Sequence, residues 1–161
     1  MNQNREAFLD MLAWSEGTST NAATRNDGYD VIVTGIDNKP EVFSDFSAHP
    51  FAAGRQAKLI NGRGLRSTAS GRYQFLVLHW PHYRDLLKLP NFGPLSQDTW
   101  ALQLIRECRA LPMIDAGQFA ATVAAVAHLW ASLPGANYEG QGMHSLANLQ
   151  AQYVKAGGVV A

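Results

Sequence analysis

Cysteine is almost missing from this sequence, since Cys108 is the only one among 161 residues. A single thiol cannot form a disulfide within the chain, so the sequence suits a reducing compartment. Cys108 lies in an apolar helical stretch, and we expect it to be a buried hydrophobic residue and not a nucleophile.

The sequence also has no surplus of one charge, because 13 basic residues balance 13 acidic ones. Nucleic-acid binders usually carry a basic surplus, so this class is disfavoured. No window approaches the ~18 apolar residues of a membrane span, so stable membrane insertion is not expected. The polar start, Met1 to Glu6, lacks the basic-then-apolar pattern of a secretory signal, which predicts a cytosolic product.

The usual motifs of metal, serine and phosphate chemistry are missing as well. The five histidines form no His-Glu-x-x-His pattern, so neither a metal nor another cofactor is expected. No Gly-x-Ser-x-Gly elbow is present, and Gly62-Arg63-Gly64 lacks the preceding strand that a phosphate-binding loop requires. Carboxylates and aromatic residues are therefore the remaining candidates for chemistry.

Glu16 is the most unusual carboxylate in the sequence. It follows the apolar run Met11 to Trp14, on the same helical side as Phe8, and it precedes the helix stop Gly17. Burial and the negative end of the helix dipole both disfavour an anion there, which predicts a raised carboxyl pKa. A general acid needs that property. The alternative is that Glu16 points into solvent beyond the last turn.

The chain predicts a mainly α-helical α+β protein with one small hairpin. We expect that hairpin from a strand at 29–34 and a partner at 41–44, with turn residues between them. Helices are expected at about 5–16, 71–80, 81–89, 97–109 with Ser96 as cap, 111–117, 118–133 as a buried central helix, and 145–156.

The segment from 46 to 70 has no clear period and contains four basic residues without an acid. An irregular segment of this length in a compact domain is often functional. Two interpretations stay open: a solvated flap, or a basic edge beside a substrate. The four residues are Arg55, Lys58, Arg63 and Arg66.

A site for carbohydrate combines an acid, which protonates a glycosidic oxygen, with aromatic faces and amide groups that bind sugars. Glu16 is the candidate acid. The candidate sugar-binding residues stand at the starts of predicted elements or beside a tight turn: Tyr29, Tyr73, Gln74, Asn137 and Tyr138.

Several blocks of sequence together resemble one known family. They are Arg5 to Gly17, Arg25 to Val33, Gly71 to Gln74, Ala110 to Asp115 and Trp130 to Ala136. In this order, and over nearly the whole chain, they resemble the bacteriophage lambda endolysin family of lytic transglycosylases. The segment 36–65 departs most from the family pattern. The residues at the edges of the substrate cleft are therefore expected to differ from those of the family.

The resemblance implies one lysozyme-like domain over residues 1–161, with a small β lobe and a helical lobe flanking a substrate cleft. It implies an enzyme that cleaves the β-1,4 bond between N-acetylmuramic acid (MurNAc) and N-acetylglucosamine (GlcNAc), leaving 1,6-anhydro ends. Glu16 matches the family's catalytic acid. The Gly-x-x-Gln motif of lytic transglycosylases resembles Gly71 to Gln74, which makes Gln74 a substrate-positioning residue.

The resemblance also implies the partners and the place of action. The substrate is the glycan strand of peptidoglycan, the protein is a monomer, and a holin releases it from the host cytoplasm to the periplasm.

Two other functions remain open at the level of sequence. A hydrolytic muramidase or chitinase-like enzyme would need a second carboxylate, for which Asp27, Asp30 and Asp45 are candidates. A cell-wall binding module without activity would retain the fold but not need Glu16.

Overall fold

The computed structural model describes residues 2–135 and 142–161. Within these residues the order of elements is α1, four short strands, and five further helices. Their bounds are α1 Gln3–Ser15, β1 Val31–Ile32, β2 Glu41–Val42, β3 Lys58–Leu59, β4 Arg66–Ser67, α2 Trp80–Leu87, α3 Pro94–Glu107, α4 Leu111–Asp115, α5 Phe119–Val126 and α6 Leu146–Lys155. A 3₁₀ turn, Val77–His79, precedes α2. The predicted mainly helical α+β class is confirmed.

The chain forms two compact units, one made of residues 1–16 and 101–161 and the other of residues 17–100. In the first unit α1 packs against α4 and α6, and α5 contacts both of these helices. Phe8 lies at the centre of this packing, with its ring edge-on to Phe119 and to Tyr153. The apolar face of α1 is therefore held by three later helices of the same unit.

Both ends of α1 are set by its own sequence. The Asn2 side chain accepts a hydrogen bond from the Asn4 backbone N–H at 2.8 Å, which satisfies one free donor at the helix start. At the other end Glu16 is the C-terminal cap and Gly17 has a φ of +70°, a left-handed conformation that glycine adopts readily. The predicted helix is confirmed, with Asn2 as its N-cap and Gly17 as its stop.

The second unit contains two antiparallel hairpins. β1 pairs with β2, with Val31 opposite Val42, and β3 pairs with β4, with Lys58 opposite Ser67. The first hairpin is the predicted one, although its strands are only two residues long. The second lies inside the segment for which no regular structure was predicted.

An aromatic cluster forms the core of the second unit. Phe75 stacks on Trp100, with ring centroids 4.0 Å apart, and Trp80 meets Phe92 edge-on at 5.3 Å. Each of these four side chains is at least 95% buried. They join the start of α2, the middle of α3 and the segments beside them into one unit.

Three helix predictions are corrected by the structure. Residues 71–74 form a turn, because Gly71 and Gln74 both have positive φ and Ser70 bridges back to Phe75. Helix α3 begins at Pro94, so Ser96 lies within it and donates to the Asn91 side chain. Helix α5 covers only Phe119–Val126, and exposed alanines follow one of its sides, at positions 120, 121 and 124.

Among the described residues, none of the helices combines the length and the apolar character that crossing a membrane requires.

Candidate active site

Glu16 lies at the C-terminal end of α1, where its backbone N–H donates to the Leu12 carbonyl at 2.9 Å. The residue is partly buried, and the residues before it on the inner face of the helix are fully enclosed. The alternative interpretation, in which Glu16 points freely into solvent, is therefore excluded. Apolar residues recur along one face of α1, and Glu16 lies on that face, so its carboxylate is directed toward the protein.

Ser132 is the direct partner of the Glu16 carboxylate. Its hydroxyl lies 2.5 Å from Glu16 Oε1, and its backbone N–H also donates to this carboxylate. Burial raises the pKa of Glu16 above its ordinary value, while the hydrogen bonds from Ser132 oppose part of that rise. The raised pKa matches the sequence prediction, although desolvation is its main cause and the helix dipole is not needed to explain it.

Ser15, Trp14 and His144 surround this carboxylate–serine pair. The Ser132 hydroxyl lies 3.0 Å from Ser15 Oγ, and His144 Nε2 lies 3.2 Å from the Ser15 carbonyl oxygen. The His144 ring packs on the Trp14 ring with centroids 4.4 Å apart. The end of α1 is thus fixed from the side by residues that follow α5.

A second set of polar side chains lies in the other unit and involves two predicted site residues. Tyr29 and Tyr73 both donate to Asp98 Oδ1, at 2.8 and 2.6 Å, and Arg72 donates to the Tyr29 hydroxyl at 3.0 Å. We call Tyr29, Arg72, Tyr73 and Asp98 the tyrosine cluster. Burial is the main cause that raises the pKa of both phenols, so they remain neutral donors.

The two tyrosines differ in what they can offer to a ligand. Tyr29 is half-buried, whereas Tyr73 is only 1% exposed and its ring packs against Phe75. A ring buried this deeply has no free face for a sugar, so a direct contact from Tyr73 has no support in the structure. Tyr73 instead supports Tyr29 through their shared acceptor, Asp98.

Gln74 lies at the end of the tight turn that begins at Gly71. Its φ is +52°, and its side-chain Nε2 donates to the Gly71 carbonyl at 3.0 Å. The fully buried Gln97 holds the same turn, because its Oε1 accepts from the Arg72 N–H at 2.8 Å and its Nε2 donates to the Tyr29 carbonyl at 2.9 Å. Gln74 therefore lies on a turn that begins with a glycine at position 71 and that is held by the hydrogen bonds of Gln97.

The remaining predicted sugar-binding residues, Asn137 and Tyr138, lie outside the described residues.

Each of the three candidate second carboxylates already has a partner in the structure. Asp30 is 3% exposed and accepts from the Thr24 hydroxyl and the Arg25 N–H, which makes it part of a loop framework. Asp27 is exposed and forms an ion pair with Arg72 at 3.1 Å. Asp45 is exposed, and hydrogen bonds from the Ser47 side chain and from the Ser47 backbone N–H lower its pKa.

The basic segment uses part of its charge internally. Arg55 and Lys58 both form ion pairs with Glu41, and Arg66 donates to the Ala57 carbonyl at 2.8 Å. Three of its four cations therefore stabilise the hairpins of the second unit. These contacts do not by themselves distinguish a solvated flap from a basic edge beside a substrate.

Cys108 is half-buried, not fully buried as predicted, and its Sγ lies 3.9 Å from His128 Nε2. Burial raises the pKa of the thiol, which opposes a nucleophilic role. Among the described residues, no group of three or more His, Cys, Asp or Glu side chains could hold a metal ion.

Sequence reasoning missed Ser132, His144, Arg72 and Asp98. Their roles depend on contacts between distant parts of the chain, since Ser132 is 116 residues away from Glu16. The sequence feature that could have indicated a role for Ser132 and Arg72 is their position inside blocks that resemble the family.

Comparison with known proteins agrees on one family. The family profile described as Endolysin matches residues 6–160. The chain is 60% identical over 159 residues to the endolysin of Escherichia phage P2, covering 99% of this chain and 96% of that protein. It is 49% identical over 161 residues to the endolysin of Escherichia phage lambda, covering 99% and 95%.

A solved structure shows the same relation. Bacteriophage lambda lysozyme, complexed with a chitohexasaccharide, superposes with a TM-score of 0.90 at 48% identity, covering 100% of this chain and 98% of that one. A second structure of lysozyme from bacteriophage lambda gives a TM-score of 0.86 at 47% identity, with the same coverage.

Proposed function

The chain belongs to the endolysin family of phage enzymes that lyse peptidoglycan, and we propose that it acts as a lytic transglycosylase. In this proposal it cleaves the β-1,4 bond between MurNAc and GlcNAc and leaves 1,6-anhydro-MurNAc ends. The observation that carries the proposal is the state of Glu16, a partly buried carboxylate with a raised pKa that has no carboxylate among its hydrogen-bond partners within residues 2–135 and 142–161.

Glu16 supplies both proton transfers of the reaction. In the first step its carboxyl proton goes to the glycosidic oxygen while the bond from that oxygen to the MurNAc anomeric carbon breaks. In the second step the Glu16 carboxylate removes the proton of the MurNAc carbon-6 hydroxyl. The carbon-6 oxygen then bonds to the anomeric carbon, which closes the anhydro ring and returns the proton to Glu16.

One carboxylate is enough for this sequence of steps, because the nucleophile belongs to the substrate. Hydrolytic glycosidases generally need a second carboxylate to activate water or to attack the sugar. An internal hydroxyl has a large effective concentration and competes well with water. The engagement of Asp27, Asp30 and Asp45 in other contacts supports this simpler mechanism.

The related structure that contains a chitohexasaccharide supports a glycan as the substrate class. We infer that this chain binds the glycan strand of peptidoglycan, with Gln74 and Tyr29 as contacts. Tyr73 supports Tyr29 from the core, and Asn137 and Tyr138 remain proposed contacts. The other members of the proposal are a single lysozyme-like domain, a monomeric enzyme, release by a holin, and action in the periplasm.

The first experiment compares Glu16→Gln with Glu6→Gln, a matched substitution of an exposed carboxylate on the same helix. Removal of a general acid typically costs roughly 10²- to 10⁴-fold in rate. We expect Glu16→Gln to lyse purified peptidoglycan at least about 10²-fold more slowly than the unsubstituted protein. Glu6→Gln should lyse it at the unsubstituted rate.

Circular dichroism checks that both variants fold. Full lysis by a folded Glu16→Gln variant would contradict the assignment of Glu16. Counting reducing ends during lysis separates the alternatives, because hydrolysis creates one reducing end for each cut and transglycosylation creates none.

A further inference from the structure

The hydroxyl hydrogens beside Glu16 can be counted from the distances between oxygen atoms. Ser15 Oγ lies 2.8 Å from the Leu12 carbonyl oxygen, which can only accept, so the Ser15 hydrogen is used in that bond. Ser15 Oγ can then only accept from Ser132, which lies 3.0 Å away. The single Ser132 hydrogen therefore has two acceptors within reach, Ser15 Oγ and Glu16 Oε1 at 2.5 Å.

We propose that Ser132 is a positioning residue whose hydroxyl hydrogen turns from Ser15 to Glu16 when Glu16 loses its proton, and turns back when the proton returns. This proposal rests on the proposed function, in which Glu16 gives up and regains one proton in each cycle. Ser15 is the second member of the pair, since it receives the Ser132 hydrogen in the protonated state.

The count of hydrogens balances in both states. Before the first step the proton on Glu16 Oε1 is donated to Ser132 Oγ, Ser132 donates to Ser15 Oγ, and Ser15 donates to the Leu12 carbonyl. In that step the Glu16 proton turns from Ser132 to the glycosidic oxygen and is transferred, and the Ser132 hydroxyl then donates to the ionised Oε1 while Ser15 keeps its bond to Leu12. Only hydrogens turn, and no heavy atom of the three side chains needs to move.

Burial increases the contribution of these hydrogen bonds to the free energy of the site. Ser15 is 6% exposed and Ser132 is 7% exposed, so water has little access to replace a missing partner. A hydrogen bond in such an environment is stronger than one in water, and losing a partner is more costly. The carboxyl group thus has a hydrogen-bonded neighbour before and after each proton transfer.

His144 fixes both serines in place. Its backbone N–H donates to the Ser132 carbonyl at 3.0 Å, while its ring Nε2 lies 3.2 Å from the Ser15 carbonyl oxygen. Among the described residues of this unit, His144 is the titratable side chain within hydrogen-bond distance of Ser15, through the Ser15 carbonyl. The pKa of Glu16 itself is shifted by burial and by Ser132, and a charged neighbour is not among the causes.

The test uses two alanine variants that should act in opposite directions. Ser132→Ala removes a donor to the carboxylate, so the ionised form loses a bond and the pKa of Glu16 rises. Ser15→Ala removes the acceptor that Ser132 uses in the protonated state, so the pKa of Glu16 falls. From the usual net value of one hydrogen bond, each ionisation constant should change roughly three- to tenfold.

Carbon-13 NMR titration of the glutamate side-chain carboxyl groups measures this directly in the whole protein. Glu16→Gln identifies the Glu16 signal by removing it, and the His144 ring signals recorded in the same titration report its protonation. If Ser132→Ala does not fold, Ser132→Cys replaces it, because a thiol is a weak donor and should also raise the pKa.

Opposite shifts in the two variants support the proposal. Shifts in the same direction, or no shift in either variant, would overturn it even if Glu16 is the catalytic acid. The proposed function fails separately, when Glu16→Gln still lyses peptidoglycan, and this result does not depend on the titration.

Discussion

Glu16 shows how much a single residue can reveal from sequence. Its place between an apolar run and a stop glycine predicted a perturbed carboxylate, and the raised pKa confirms that expectation. The size of the effect depends on Ser132, which the sequence places 116 positions away. Local pattern therefore indicated the unusual carboxylate that we propose as the acid, but its hydrogen-bond partners could be found only in the tertiary structure.

His49 is a second buried titratable residue, and its burial leads us to expect that the free energy of unfolding depends on pH. It is 2% exposed, and its Nε2 donates to the Phe75 carbonyl at 2.9 Å while Nδ1 accepts from the Phe51 N–H. Burial lowers its pKa from 6.5 to about 4, because the charged ring would be desolvated, while the hydrogen bond to the Phe75 carbonyl opposes part of that fall.

A histidine with a lowered pKa stabilises the folded protein above its unfolded pKa and loses that contribution as pH falls. Between pH 6.5 and 4 we expect the free energy of unfolding to drop by up to about 3 kcal/mol from this residue. Urea unfolding at several pH values measures the drop, and His49→Gln should make the curve flatter over that window. An equally steep curve in the variant would show that other groups cause the loss.

At the scale of elements, turns explain most of the differences between prediction and structure. Residues 71–80 contain enough apolar side chains to suggest a helix. However, the left-handed conformations of Gly71 and Gln74 bend the chain into a turn. The hairpin of β3 and β4 was missed because two-residue strands are too short for an alternating pattern. Helix α1, in contrast, has clear caps and a clear apolar face, and its bounds were predicted within two residues.

The glycine turn before Tyr29 gives a prediction at this scale. Gly28 has a φ of +87°, and a Cβ atom there would lie 2.8 Å from the Thr18 backbone carbonyl carbon. Gly54 is the matched control, since its φ is +83° and a Cβ would meet nothing within 4 Å. Gly54→Ala should cost about 1–2 kcal/mol from backbone strain alone.

Gly28→Ala should cost at least about 2 kcal/mol more than this control, because the loop backbone must also move. Urea unfolding of the two variants measures the difference. Equal losses would mean that the loop around Thr18 yields without cost, and that the turn does not fix the position of Tyr29.

At the scale of the whole molecule, the family is established by residues in both compact units. The family profile covers residues 6–160, and similarity to the phage P2 endolysin extends over 99% of the chain. The mainly helical α+β class was predicted from the order of helical and strand patterns, and the lysozyme-like fold from the resembling blocks that are spread along the sequence. The arrangement of side chains around Glu16 and in the tyrosine cluster was not, since it depends on pairs of residues that are far apart in sequence.

Balanced charge is also a property of the whole chain. With 13 basic and 13 acidic residues, long-range attraction to an anionic polymer is weak, so we expect recognition of the proposed glycan substrate to rely on short-range contacts. The neutral phenol of Tyr29 and the amide of Gln74 are the groups that we propose for these contacts. The proposed single-carboxylate mechanism requires no second acid close to Glu16.

The products of peptidoglycan cleavage test this account most directly. Purified peptidoglycan is digested in water enriched in the heavy oxygen isotope, and the released muropeptides are analysed by mass spectrometry. The proposed transglycosylation predicts fragments one water lighter than the hydrated form, ending in 1,6-anhydro-MurNAc and carrying no heavy oxygen at the new end. Hydrated MurNAc ends that contain the heavy isotope would show that water is the nucleophile and would contradict transglycosylation.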